Sequence, residues 1–421
     1  MQRGKWAMMG PRPWLALAVV AVIVSAAGAP SHVAAGQPAM PPTSATSAQA
    51  AALVALARDA MAQNDLKAVI VRVTIDGQEV VTAALGESMT GVPTTTDMHF
   101  RNGAVAISYV ATLLLRLVDQ QVVGLDDTLS NWLPELPDAD RVTLRMLANM
   151  TAGYPDYVPN EQFTQDNYLD PFRQWTPQEL IDLGLSTPRV FAPGANWDYS
   201  HTNYVILGQA LERITGRPLA ALLREYVLDP LGLNNTESFS TAAIPEPVLH
   251  AFSSERRAAL GIPRGTRFYE ESTYWNPSWT LPQGAIQTTN IYDMTATAVA
   301  VGEGTLLSPA SHAAQLDPGL LGFGAPLEGC ANCRTLNTVY NYGLGVVLSG
   351  AWVLQNPAFG GYSAAEAYLP AKKIAIAVAT TFGEQSFDEQ GDYKHLGAAT
   401  ELFAAIAAHL APEDAPFTAR P

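Results

Sequence analysis

The alternation of apolar and polar positions divides the chain into strands at its two ends and helices between them. Ser47 to Asn64 carries apolar residues at helical spacing. Lys67 to Ile75 and Gln78 to Leu85 run apolar or alternate, and the Asp76-Gly77 pair between them predicts a two-residue hairpin. Ala104 to Val118 is a long apolar run without glycine or proline, the pattern of a buried helix. From Gly124 to about Ser278 the chain is rich in turns and helix-like. Asn203 to Thr215 is its clearest helix, stopped by Gly216 and Pro218. Gly343 to Ser349, Ala364 to Leu369 and Lys373 to Thr381 read as successive strands, and His395 to Leu410 as a closing helix. One sheet assembled from both ends of the chain, interrupted by a helical insertion, accounts for this order. No internal repeat is present in the sequence.

The first residues have a different character. Arg3, Lys5 and Arg12 precede an apolar stretch, Trp14 to Ala29, which is followed by small residues. This is the layout of a secretory signal over residues 1–35. It is shorter than the roughly 20 apolar residues of a membrane span, so no stable span is expected once it is removed, although a retained anchor has the same layout. An uncharged Ala/Pro/Ser/Thr-rich linker over residues 36–50 follows. The predicted location is therefore outside the cell or in its envelope.

The chain is 421 residues long with a formal net charge of −15. Such a chain is repelled by phosphate backbones, so nucleic acid is excluded as a partner. Its 48% hydrophobic content is enough for a sizeable core, which excludes wholesale disorder. Cys330 and Cys333 are its two cysteines. With no second cysteine pair or histidine cluster beside them, and with export expected, they read as a small structural disulfide. No His-x-x-x-His or similar spacing points to a metal, and no cofactor is expected.

Several ordered blocks carry a resemblance. They include Phe100-Arg101-Asn102-Gly103, Leu125-Asp126-Asp127, Trp132-Leu133-Pro134, Thr151-Ala152-Gly153-Tyr154-Pro155, Phe191-Ala192-Pro193-Gly194, Tyr199-Ser200-His201, Asp229-Pro230-Leu231-Gly232 and Tyr342-Gly343-Leu344-Gly345. In this order and spacing the chain resembles the serine β-lactamase and D-alanyl-D-alanine carboxypeptidase superfamily, in particular its class C-like branch. The resemblance implies an α/β fold, an antiparallel sheet flanked by helices, formed by residues 51–120 with 281–412. A mostly helical region, 121–280, would pack against it with a cleft between.

Members of that superfamily acylate a serine that opens a buried helix, with a lysine one turn later in Ser-x-x-Lys. Here Ala104 stands at the serine position and Ile107 at the lysine position. An alanine cannot be acylated and an isoleucine cannot carry a proton. None of the five lysines, Lys5, Lys67, Lys372, Lys373 and Lys394, has a serine three residues before it, and no Gly-x-Ser-x-Gly elbow is present. Tyr199 keeps the tyrosine of the second motif while His201 replaces its asparagine. At the third motif Gln355 and Pro357 stand where a His or Lys and a glycine belong. Ala104, Ile107, Gln355 and Pro357 are thus degenerate positions expected to line the pocket, and Ala104, Tyr199 and Gln355 should converge there.

Two functional readings follow. In the first, the protein binds a peptidoglycan peptide or small acyl ligand, or acts as a scaffold, without acyl-enzyme chemistry. In the second it is a hydrolase of peptidase, β-lactamase or esterase type. That hydrolase would use a nonstandard nucleophile, Ser108 or Ser200, or water attack assisted by Tyr199 and His201. Three of these residues also have a purely structural reading: Tyr199 as a packed aromatic, His201 as a structural histidine, and Ser108 as a helical serine bonded back to the preceding turn.

Overall fold

In the computed structural model, residues 44–239, 241–285, 287–317 and 319–417 are described. The expected signal and most of the expected linker lie outside them. The first helix, α1 (Ser44–Gln63), begins inside the residues read as linker. The alanine-rich composition that looks like a spacer is also the best helix-forming composition.

β1 (Leu66–Ile75) and β2 (Gln78–Met89) form the predicted hairpin. Asp76 and Gly77 both hold positive φ, 47° and 73°, which matches the right-handed twist of the paired strands. β3 (Val92–Pro93) lies on the edge. The other half of the sheet comes from the far end of the chain: β4 (Asn341–Tyr342), β5 (Val347–Ser349), β6 (Trp352–Gln355), β7 (Ala358–Phe359), β8 (Tyr362–Leu369) and β9 (Ile374–Phe382). The order is β3-β2-β1-β9-β8-β6-β5-β4 with β7 on β8, and neighbouring strands are antiparallel.

Every residue of β8 and β9 is buried, so both faces of the sheet centre are covered. The face carrying Tyr368 packs on α4 (Ile291–Glu303), where Gly302 lies against the Tyr368 ring. The opposite face, carrying Ser363, meets α5 (Ala398–Leu410), and α1 packs beside α5. Among the described residues, no helix is long and apolar enough to cross a membrane.

The expected strand Gly343–Ser349 is strand only at its end, β5, and its first residues form the turn that folds β5 back on β4. Gly345, at φ 71°, makes the turn, because an added Cβ would stand 2.5 Å from Ala111 Cβ and 2.8 Å from the Tyr204 hydroxyl. Strand β6 escapes the sequence reading because its four residues are all buried and show no alternation.

α2 (Val105–Asp119) is the central buried helix. The helical stretch before the cleft contains Leu144–Ala148, Glu161–Leu169 and Pro177–Leu185. α3 (His201–Thr215) follows and ends at Gly216 in the left-handed region. It starts two residues earlier than the periodicity predicts, whereas α5 starts three residues later. Phe100–Arg101 pairs with Gln287–Thr289, which pairs in turn with Glu237–Ser238. This small sheet ties the segment leading into α2 to the central region.

Candidate functional site

A cleft of about 490 Å³ opens where the start of α2, the start of α3 and the β6–β7 end of the sheet meet. Gly103 lets the start of α2 come this close, since a Cβ there would lie 2.7 Å from both Pro357 Cβ and the Phe359 ring. Ala104, Tyr199, His201, Gln355 and Pro357 all line the cleft, so the three degenerate motifs converge as expected. The remaining walls include Trp279, Thr280, Asn332, Tyr340 and Phe359.

Two predicted residues lie elsewhere. Ile107 is fully buried in the core and does not line the cleft. One helical turn beyond Ala104, it points into the packing beneath the cleft floor. Ser108 is also fully buried, and its hydroxyl donates to the Val105 carbonyl at 2.7 Å. Its proton is held by its own helix, so the nucleophile reading of Ser108 is corrected to a structural one. Ser200 is likewise buried and off the cleft. Its hydroxyl has no hydrogen-bond partner among the described residues.

The cleft offers little to make a nucleophile. Thr280 is the one serine, threonine or cysteine among its described lining residues, and its hydroxyl donates to the Pro277 carbonyl at 2.8 Å. The lysines among the described residues are all engaged elsewhere. Lys67 lies over the Phe252 ring, Lys372 pairs with Glu413 and Asp414, Lys373 pairs with Asp76, and Lys394 donates to the Gln385 carbonyl. Gln355 is nearly fully buried and donates from Nε2 to the Gly345 carbonyl at 2.8 Å, so its amide braces the β4–β5 turn. Pro357 sits in the break between β6 and β7, where its carbonyl accepts from the Ala364 amide at 2.9 Å.

His201 has a partner that the sequence reading did not find. Its Nδ1 lies 3.0 Å from Asp156 Oδ2 and 3.2 Å from Oδ1, and its backbone N–H donates to Oδ1 at 3.2 Å. Asp156 also accepts from the Val158 amide. Among the described residues the hydrogen bonds to the ring are on Nδ1, so Nε2 is left for whatever occupies the cleft. Asp156 directly follows the Thr151–Pro155 block, but 45 residues separate it from His201 and only the fold joins them. The Tyr199 ring stands edge-on to His201, centroids 5.3 Å apart, and edge-on to Tyr342 at 6.2 Å. Burial, reinforced by Tyr340 and Asp156, pushes the Tyr199 hydroxyl above its usual range, so it is a neutral phenol at physiological pH.

Behind this wall, burial raises the Asp198 carboxyl to about 6, with Asp156 adding to the effect and Asn332 and Arg334 opposing it. The expected disulfide is formed between Cys330 and Cys333. Asp198 lies beside these sulfurs, but they are bonded to each other and offer no thiolate to a metal. The bridge frames Asn332, which lines the cleft and donates from Nδ2 to the Tyr199 carbonyl at 3.5 Å.

A nine-stranded antiparallel sheet with helices on both faces, and a cleft at the start of a buried central helix, define a β-lactamase or transpeptidase-like fold. The chain belongs to the beta-lactamase family, whose model matches residues 53–400. It is 29% identical over 158 residues to penicillin-binding protein 4* of Bacillus subtilis (strain 168), covering 38% of this chain and 34% of that protein. It is 32% identical over 163 residues to the esterase EstB of Burkholderia gladioli, covering 36% and 41%. The matched segment thus spans well under half the length of these relatives. Among solved structures, D-amino acid amidase from Ochrobactrum anthropi SV3 superposes with a TM-score of 0.71 at 21% identity, covering 86% of this chain and 99% of that one. The penicillin-binding protein from Bacillus halodurans gives 0.64 at 18% identity, covering 84% and 98%. At these identities the structural likeness establishes the fold.

Proposed function

We propose that this chain is an exported member of the beta-lactamase family that binds a peptide or small acyl ligand, such as a peptidoglycan stem peptide, without forming an acyl-enzyme. The observation that carries the reading is the floor of the cleft. Ala104 presents a methyl group where acylation requires an oxygen, and one turn below it Ile107 fills the core where a base is required. The cleft is otherwise built as a ligand site, concave and largely apolar with a few polar groups converging on it.

The Asp156–His201 pair favours one second reading. A histidine with one nitrogen held by a carboxylate and the other unbonded within the protein is equipped to draw a proton from water. In that reading the protein hydrolyses esters or amides by direct water attack, with Tyr199 as the neighbouring proton donor.

One experiment separates the two. The purified protein is incubated with a labelled penicillin and with a fluorophosphonate, and its intact mass is read. In parallel, p-nitrophenyl esters and a D-Ala-D-Ala peptide are followed for turnover, and binding of the peptide is titrated by calorimetry. Unchanged mass, no turnover and saturable peptide binding is the expected result. An adduct overturns the first reading. Turnover without an adduct, lost in both His201→Gln and Asp156→Asn, selects the second.

A further inference from the structure

Beside the cleft lies a second chamber of about 210 Å³, with Val158, Trp279, Ala358, Phe359 and Leu396 lining both. Its character differs from the cleft. Phe163, Tyr168, Trp275, Trp279 and Phe359 supply an aromatic lining, and Glu255 contributes a carboxyl group to it.

Among the described residues no cation pairs with that carboxyl group. Its Oε2 accepts from the Tyr393 hydroxyl at 2.7 Å and from the Ser253 hydroxyl at 2.8 Å, while Oε1 receives one long bond from the Tyr168 hydroxyl at 3.3 Å. Two good donors on one oxygen leave the other with acceptor capacity. The basic groups nearby are committed elsewhere. Arg256 pairs with Glu270 and donates to the Tyr168 carbonyl, Arg257 donates to the carbonyls of Pro263 and Thr266, and Arg101, which itself lines the chamber, donates to those of Ala242 and Ala243. Burial raises the Glu255 carboxyl above its ordinary range and Asp392 adds to this, while the Tyr393, Ser253 and Tyr168 hydroxyls oppose it by bonding to the charged form. A carboxyl group that pairs with no cation among the described residues, facing a chamber walled by aromatic faces, is complementary to an organic cation. The rings attract it through their quadrupoles, and the carboxylate accepts its N–H bonds.

We propose that this chamber is a recognition subsite for a protonated primary amine, carried by a side chain or free amino end of the ligand that occupies the cleft. A chamber of this size admits one side chain rather than a whole peptide. Its cation preference stands on its own geometry, whereas the link to a cleft ligand rests on the binding reading proposed above.

The test uses the full chain and small probes that report on the chamber alone. Benzylammonium, benzyl alcohol and benzoate are titrated at neutral pH while tryptophan fluorescence is followed, since Trp275 and Trp279 stand in the wall. Benzylammonium is expected to saturate at least tenfold more tightly than benzyl alcohol, with benzoate weakest. Glu255→Gln keeps an acceptor for the Tyr393 and Ser253 hydroxyls and removes the charge. It is expected to weaken benzylammonium at least tenfold and leave benzyl alcohol unchanged. Trp275→Leu, which leaves the carboxyl group intact, is expected to weaken benzylammonium several-fold and guards against a folding defect in the first variant. Equal affinity for the amine and the alcohol, or no change in Glu255→Gln, overturns the subsite. A final pair of titrations compares a lysine-containing peptide with its Nε-acetylated form. A tenfold preference for the free amine supports the link to the cleft. Equal binding of the two peptides overturns the link, and absence of binding by either, with benzylammonium still bound, counts against the cleft reading and leaves the chamber standing.

Discussion

His201 and Asp156 meet at the start of α3 through two contacts: Nδ1 to Oδ2 at 3.0 Å, and the His201 backbone N–H to Oδ1 at 3.2 Å. One carboxylate therefore fixes both the ring and the first free amide of the helix. This is a structural bond whatever the ring does chemically. Asp156→Ala leaves the amides of His201 and Val158 and the imidazole Nδ1 without their acceptor. A loss of about 1–3 kcal/mol is expected for such unmade bonds. Urea denaturation checks this, and an unchanged midpoint would refute the bracing role.

Restoring the missing oxygen alone is not expected to restore acylation. Ala104→Ser places a hydroxyl in the cleft, but Ile107 cannot remove its proton and no lysine is among the described residues that line the cleft. Intact mass after incubation with labelled penicillin should be unchanged. An adduct at position 104 would show instead that the His201–Asp156 pair can reach that position as a base.

Gly345 packs closely against α2. An alanine there meets Ala111 Cβ, the Tyr204 hydroxyl and the Ile107 carbonyl, at a φ of 71° that side chains rarely adopt. Gly345→Ala should destabilise by about 2–4 kcal/mol, combining overpacking with backbone strain. The same variant should shift Gln355, whose Nε2 donates to the Gly345 carbonyl. Chemical denaturation and the side-chain amide NMR signals of Gln355 read the two effects; near-wild-type stability would contradict the packing described.

Asp198 sets a pH dependence of definite sign. Burial raises its carboxyl to about 6, against an unfolded value near 4. The folded chain therefore holds this proton more tightly than the unfolded one. The stability that this confers is full below about pH 4 and lost as pH rises through about 6. Asp198→Asn should remove that component, so the difference in unfolding free energy between variant and wild type should shift in favour of the variant between pH 4 and 6. With residual solvent screening the shift should be on the order of 1 kcal/mol. A difference that is flat with pH, or slopes the other way, would refute the assignment.

The Cys330–Cys333 bridge closes a loop between residues only three apart in sequence. So short a loop restrains little unfolded-state entropy, about 2 kcal/mol in the chain-entropy model. The double variant Cys330→Ser/Cys333→Ser should lose no more than this in urea, while loosening Asn332 and the Tyr199 carbonyl it contacts. A loss of 4 kcal/mol or more would mean that the bridge holds up much more than its own loop.

What could be read from the chain alone was whatever depends on order and spacing. The Asp76-Gly77 hairpin, the buried helix from Ala104 and the stop at Gly216 follow from local backbone preference and periodicity. The replacement of Ser-x-x-Lys by Ala104 and Ile107 is legible because motif positions are counted from neighbours, and the convergence of Ala104, Tyr199 and Gln355 follows from the same count. The tertiary structure decided what depends on distance through space. It turned Ser108 into its own helix and sank Ile107 beneath the cleft floor, because on a packed helix a few tens of degrees separate a wall residue from a core residue. It brought Asp156 to His201, and it gathered Phe163, Glu255, Trp275 and Phe359 around one chamber. None of these groupings has a sequence period. Each is made by separate segments folding against one another, and neither a pair of side chains 45 residues apart nor a cavity walled from six segments leaves a local pattern for the sequence to display.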